Sequence, residues 1–320
     1  MSFELILPFL RPIEPLLLDE SISEIMGNPD ASWWYERDGI VRRERTISFA
    51  AGKLRTGLEV IANQLGKKLD EDTPILHAQL PDGSRLAAVI PPVVQLTPAL
   101  ITRKFTSRHY TVDDLIARGT LTHPLADFLA EQIRSGKTLL ISGGTGTGKT
   151  TLLRILADFI PEQERLVVIE DTSELQIQKP NILAVECQTD TFKANITFDD
   201  LLKSALRWRP DRIILGEVRG IEARTLLGSN TGHAGSLATI HANSAEKALH
   251  RFANLVMRNH AQSRFSDTEA EIGEAVDFVV HFERQQGHRI VREVLALRGY
   301  DRDAKRFLIE PVFQVKHAAA

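Results

Sequence analysis

The chain has 320 residues, enough for two ordinary domains with separate cores. Hydrophobic residues make up 43% and charged residues 25%, the profile of a soluble globular protein, and a net charge of −3 argues against general coating of nucleic acid. One cysteine, Cys187, excludes an internal disulfide framework and a cysteine-built zinc site, and no apolar run approaches the roughly 18 residues of a membrane span.

The opening stretch MSFELILPFL lacks a basic n-region and a small-residue cleavage site, so it is read as a strand or packing segment rather than a signal peptide, with peripheral membrane contact as the alternative. Asp38-Gly39 between Trp33–Arg37 and Ile40–Arg43 is a hairpin signal. Leu54, Leu58, Ile61, Leu65 and Leu69 recur at helical spacing. A second hairpin turns at PDGS, between Ile75–Leu80 and Arg85–Ile90. These elements make an α+β domain over 1–105 with no catalytic cluster of its own. Residues 106–124 read as a linker with a short helix, capped by Thr111 with Asp114 and ended by Gly119. A further helix covers Leu125–Arg134.

From Lys137 the pattern alternates. Strands are expected at Thr138–Ser142, Arg165–Glu170, Ile182–Glu186, Arg212–Gly216 and Leu237–His241, with helices near 150–159, 198–207, 221–229 and 244–258. Alternation of this kind predicts an α/β domain over 125–320 with a mainly parallel sheet. Asp277–Phe282, Ile290–Leu297 and Phe307–Val315 finish it as antiparallel strands.

LLISGGTGTGKTT (139–151) matches the phosphate-loop pattern between a strand and a helix. Gly143, Gly144, Gly146 and Gly148, with Thr145 and Thr147 between them, let backbone N–H groups face phosphate oxygens. The helix beginning near Lys149 adds its positive end. Lys149 is expected on the β- and γ-phosphates of ATP, Thr150 on Mg²⁺, and Thr151 near the α-phosphate. VVIEDTSEL puts Glu170, Asp171 and Glu174 at a strand's carboxyl end, where open α/β sheets bind ligands. These acids can hold Mg²⁺ or act on water. RPDRIILGEVRG ends its apolar run in Gly216-Glu217 where a metal-binding Asp is usual. TGHAGSLATIHANS supplies His233 and His241, eight residues apart, a spacing that matches no zinc site. Either imidazole can donate a hydrogen bond to a γ-phosphate.

Together GGTGTGKTT, IEDTSEL, RPDRIILGEVRG and TGHAGSLATIHANS resemble the Walker A, Asp box, atypical Walker B and His box of the type II/type IV secretion ATPase superfamily, the hexameric traffic ATPases. SISEIMGNPDASWWYERDG resembles that family's N-terminal domain and TRKFTSRHYTVDDLIARGTLT its interdomain linker, so the resemblance covers nearly the whole chain. It implies a RecA-like P-loop NTPase domain behind a smaller α+β domain. It implies that Glu174 or Glu217 acts on water, that Glu170 and Asp171 assist at Mg²⁺, and that His233 and His241 couple the γ-phosphate to subunit movement. It also implies an arginine that closes on the phosphates, with Arg103 the first candidate and Arg207 and Arg209 the others.

Absence of a four-cysteine element, and Thr172 where pilus-retraction enzymes have Pro, bring the blocks nearest the conjugal-transfer and type IV secretion branch. The implied protein is a cytoplasmic homo-hexameric ring at the inner membrane, working with components of a secretion apparatus there. ATP would bind between the two domains and against a neighbouring subunit. The alternatives are a type IV or tight-adherence pilus ATPase and a nucleic-acid motor; neither direct nucleic-acid binding nor structural zinc is expected.

Overall fold

The computed structural model describes residues 3–37, 39–105, 110–188, 195–230, 232–258, 264–285 and 288–315. It divides into two compact units, Met1–Arg108 and His109–Ala320.

The first unit opens with two 3₁₀ segments, Phe3–Leu5 and Leu7–Ile13, then α1 (Glu14–Leu18). The expected strand is not formed there. Pro8, Pro12 and Pro15 remove backbone donors at four- and three-residue intervals, which a ladder cannot tolerate. The packing role holds: Ile6, Leu10 and Ile13 are fully buried. Among the described residues the unit's sheet has six strands: β1 (Ile22–Gly27), β2 (Trp33–Arg37), β3 (Ile40–Glu44), β4 (Ile75–Gln79), β5 (Arg85–Val89) and β6 (Ala99–Arg103). Their order is β3-β2-β1-β6-β5-β4 and every pairing is antiparallel. Arg37 pairs with Ile40 across the two-residue turn whose Asp38 lies outside the described residues. One face of the sheet is covered by α2 (Lys53–Gln64), whose Leu54, Leu58 and Ile61 meet Ile25, Leu76, Leu86 and Leu100 in one core. Leu69 lies beyond the helix but is still buried in that core.

The second unit begins with α3 (Val112–Ala117) and α4 (His123–Arg134). Thr111 and Asp114 form the expected reciprocal cap, with Asp114 N–H donating to Thr111 Oγ1 at 3.2 Å and Thr111 N–H to Asp114 Oδ2 at 2.8 Å. Residues 106–109 of the predicted linker lie outside the described residues, while α3 is anchored by Leu115 in the second unit's core. The sheet comprises β7 (Leu139–Gly143), β8 (Leu166–Glu170), β9 (Ile182–Glu186), β10 (Arg212–Val218), β11 (Leu237–His241), β12 (Phe278–Gln285), β13 (His288–Asp301) and β14 (Arg306–Gln314). Order is β14-β13-β12-β7-β11-β10-β8-β9. From β12 to β9 all neighbours are parallel, and β13 and β14 extend the sheet antiparallel. Buried strands such as LVVIE and RIIL show as apolar runs because both faces are covered.

Helices α5 (Lys149–Ala157), α6 (Phe198–Ala205), α7 (Glu222–Asn230), α8 (Ala245–Met257) and α9 (Phe265–Ala275) complete the unit. Two clusters, one on each side of the sheet, divide its core: Leu152, Leu153 and Leu156 of α5 belong to one, Leu249 and Phe252 of α8 to the other. The sequence reading passed over α9, because part of its buried face is polar: Thr268 and Glu269 are inside, and Tyr300 Oη donates to Glu269.

Candidate functional site

Among the described residues six strands run parallel, so their carboxyl ends share one edge. Gly143 ends β7, with His241 of β11 in register on one side and Phe282 of β12 on the other. Glu217 stands on β10, one strand beyond β11, and Glu170 ends β8 beyond that. Two strand spacings, about 10 Å, separate the phosphate loop's strand from the strand carrying Glu217, room for a phosphate and a water.

The loop from Gly143 leads into α5 as the motif requires. Thr145 and Gly146 are exposed at its tip, and Thr147 is buried with its hydroxyl donating to the Gly144 carbonyl at 3.0 Å. Gly148 caps α5 with φ +98°, a left-handed conformation that costs other residues strain. Lys149 is 7% exposed, and its Nζ donates to the Gly144 carbonyl at 2.8 Å. Thr150 and Thr151 follow, half-buried, in the first turn. Beneath the loop Ser142 Oγ and His281 Nδ1 share a buried hydrogen bond of 2.9 Å. Burial holds His281 below its usual pKa. Nothing in the sequence reading singled out His281.

The unusual Gly216-Glu217 ending is a β-bulge. Leu215 pairs with Ala238 and Val218 with Ile240, so three steps on β10 face two on β11. The predicted end of the strand at Gly216 is therefore corrected: β10 runs on through Glu217 to Val218. A bulge re-aims the side chain it carries. The Gly216 carbonyl accepts the Thr239 hydroxyl at 2.5 Å. Gly216 also makes room: a Cβ there would lie 3.3 Å from Glu170 Cγ on the neighbouring strand.

Glu170 is bonded to the loop that follows it. It is 5% exposed, and its Oε1 accepts the backbone N–H groups of Glu174 and Leu175, each at 3.0 Å. Through Oε1 its carboxylate shapes the loop after β8. Burial pushes its pKa up to about 7 despite those two hydrogen bonds, with Glu174 and Glu186 pushing the same way. A carboxyl whose pKa rises on folding binds its proton more tightly in the native state. Its contribution to stability is therefore full at low pH and is lost as pH rises from about 4.5 toward 7. Glu170→Gln stays neutral throughout. Relative to wild type, the variant should gain about 1 kcal/mol of stability between pH 6 and pH 8, seen as a relative rise in melting temperature. A difference that does not change between the two pH values would refute this role.

Asp171, Glu217 and His241 are joined by Arg219. Its Nη1 donates to Asp171 Oδ2 at 3.2 Å and its Nη2 to Glu217 Oε2 at 2.8 Å. Glu217 Oε1 lies 3.0 Å from His241 Nε2. His241 is held below its usual pKa by burial first and by the Lys149 ammonium next, against the opposing pull of Glu217. Facing a carboxylate oxygen, its Nε2–H is the donor to Glu217. Sequence reasoning missed Arg219. The available signal was a cation two residues after Glu217, just past the end of β10.

Other expected members stand elsewhere. Glu174 sits on the loop after β8, held by its own N–H to Glu170. His233 precedes β11 by four residues, at the sheet's amino edge, where Gly235 N–H bonds Thr138 and the Gly235 carbonyl accepts from Arg212. The length of β11 separates it from His241 within the subunit. Arg207 and Arg209 precede β10 at the same amino edge, beside Arg165 and Trp208, away from the phosphate loop. Arg103 lies on β6 of the first unit, 4.0 Å from Glu24. Among the described residues no three His, Cys, Asp or Glu are gathered as a metal cage, and no helix is long and apolar enough to cross a membrane.

The family model described as type II/IV secretion system protein matches residues 10–296. The chain belongs to that family. A conjugal transfer protein, TrbB, of Rhizobium radiobacter is 38% identical over 88% of this chain and 85% of its own. Among solved structures, the VirB11 ATPase of the Brucella suis type IV secretion system, in complex with sulphate, is 27% identical, with a TM-score of 0.50 over 91% of this chain and 94% of that one. The Legionella pneumophila ATPase DotB, 17% identical, shares the fold at a TM-score of 0.64, covering 90% of this chain and 80% of its own. Family membership accords with the resemblance carried by the four sequence blocks.

Proposed function

We propose that the chain is a ring-forming ATPase that powers a conjugative-transfer or type IV secretion apparatus. The observation that carries this reading is the gathering of the phosphate loop, Glu217 and His241 at one sheet edge, in a chain whose similarity to a conjugal transfer protein runs along most of both sequences.

Lys149, the loop N–H groups and the N-terminal end of α5 hold the β- and γ-phosphates of ATP. The donor set fits Mg²⁺: hard oxygens from the Thr150 hydroxyl and the Asp171 carboxylate would hold it. Few protein ligands are needed by an ion that takes most of its shell from phosphate and water. When bound it neutralises charge on the phosphates. Glu217, oriented by Arg219 and His241, positions and deprotonates the attacking water. Glu174 is the alternative base. His241, between Lys149 and Glu217, is placed to sense the γ-phosphate. Arg103 is assigned to phosphate charge from the family resemblance. Closure around ATP shifts the subunit by the differential affinity of its two conformations, and hydrolysis releases it. Partners are five further copies of the chain and inner-membrane components of the apparatus, met from the cytoplasm.

The test is turnover by the purified protein with and without single-stranded DNA. Hydrolysis that DNA leaves within twofold is the expected result. Several-fold stimulation would move the protein to the nucleic-acid motors.

A further inference from the structure

The hairpin joining β12 and β13 stands above the carboxyl edge. Phe282 pairs with Gly143, yet β12 continues to Gln285 before the chain returns at His288. Three residues at about 3.3 Å each carry the hairpin roughly 10 Å past the level where the phosphate loop begins. Alternation sets its inner face. Phe282 and Val291 are paired, and both lie in the core that includes α5. The next pair on that face, Arg284 and Arg289, therefore stands directly above them.

Arg289 reaches the loop itself. A Cβ built on Gly148 would lie 3.1 Å from Phe282 Cε1, 3.4 Å from Arg289 Cδ and 3.8 Å from Arg289 Nε. The arginine stem thus crosses the residue that caps α5, and its guanidinium extends beyond. Glu283 is the single acid in residues 278–292, and it pairs with Arg292 at 3.7 Å instead. A cation beside a positive helix end is disfavoured by like-charge repulsion. An anion seated there reverses the sign of the interaction.

Strand order says which part of the nucleotide that anion belongs to. Glu217 and His241 lie on the β11–β10 side of β7, and the hairpin lies on its β12 side. With the γ-phosphate facing Glu217, the nucleoside end faces the hairpin. We propose that Arg289 is a nucleotide-binding residue that contacts the α-phosphate. The inference rests on the reading of the phosphate loop as an ATP site.

The experiment measures dissociation constants of the full chain for ATP and for ADP. Arg289→Ala should weaken both about tenfold, since a charge-assisted hydrogen bond common to both is lost. KM for ATP should rise while kcat stays within twofold, the mark of binding shared by ground and transition states. Arg289→Gln, which keeps a side chain over Gly148, should show the same loss, and Arg289→Lys should recover most of it. Binding within twofold of wild type in both the Ala and Gln variants overturns the proposal, as does weakening of ATP alone or a loss that Lys does not restore. Lys149→Ala serves as the control. If that variant binds both nucleotides like wild type, the phosphate-loop reading has failed. If it loses binding while the Arg289 variants do not, only the role of Arg289 has.

Discussion

Lys149→Ala should lower ATP turnover by about 10²–10³-fold in a protein that stays folded. The magnitude follows from removing a preorganised cation aimed at phosphate charge in a water-poor site, where one such donor contributes roughly 10²–10³. Lys149 is well placed for this: it is nearly buried, and its ammonium is close enough to depress both His241 and His281. The fold survives because the Gly144 carbonyl keeps a second donor, the Thr147 hydroxyl at 3.0 Å. No buried acceptor is stranded, which is the usual way such a truncation becomes costly. Turnover and a thermal melt on the same preparation check the result. Activity within tenfold of wild type would remove Lys149 from the reaction, and a collapsed melt would show that its bond to the loop is structural.

The parallel half of the second sheet was readable because its strands are covered on both faces and therefore appear as short apolar runs between turn signals. The phosphate loop was readable because spacing, strand and helix coincide there. What escaped depends on pairings between distant segments. Glu170 and Asp171 are adjacent acids with the same apparent chemistry, yet one is sealed against Gly216 of another strand and the other meets Arg219. No local pattern separates them. The bulge at Gly216-Glu217 exists only relative to β11, so the run RIILGEV looked like a strand that stopped early. His233 and His241 share one sequence block, but β11 lies between them and sends them to opposite edges. The N-terminal apolar stretch was legible as buried and not as helical, since three prolines leave its conformation to packing rather than to propensity.

Read through these contacts, the missing Asp of RPDRIILGEVRG is a redistribution. The bulge delivers Glu217 to the edge, Gly216 accommodates the buried Glu170, and Asp171 stays at the edge through Arg219. On the proposed mechanism Glu217 and Asp171 divide what one strand-end Asp does elsewhere.

Glu217→Gln should therefore bind ATP and hydrolyse it about 10²–10³ times more slowly, the usual contribution of a positioned general base. The change preserves shape. The glutamine carbonyl can still accept from one of the two donors, Arg219 Nη2 or His241 Nε2, so positioning is partly kept while the negative charge is lost. The loss should consequently fall on kcat and leave nucleotide affinity nearly intact. Unchanged turnover would pass the role to Glu174, and the matching Glu174→Gln variant decides between them. A second readout reports the geometry independently of catalysis. Glu217 raises the pKa of His241 against burial and the charges of Lys149, Arg219 and Arg251. Without that carboxylate the imidazole should titrate lower still, measured by NMR on the histidine ring. If the His241 titration does not move, the carboxylate and the imidazole are not in contact in solution, and Glu217 loses the partner that here connects the bulge to the phosphate loop.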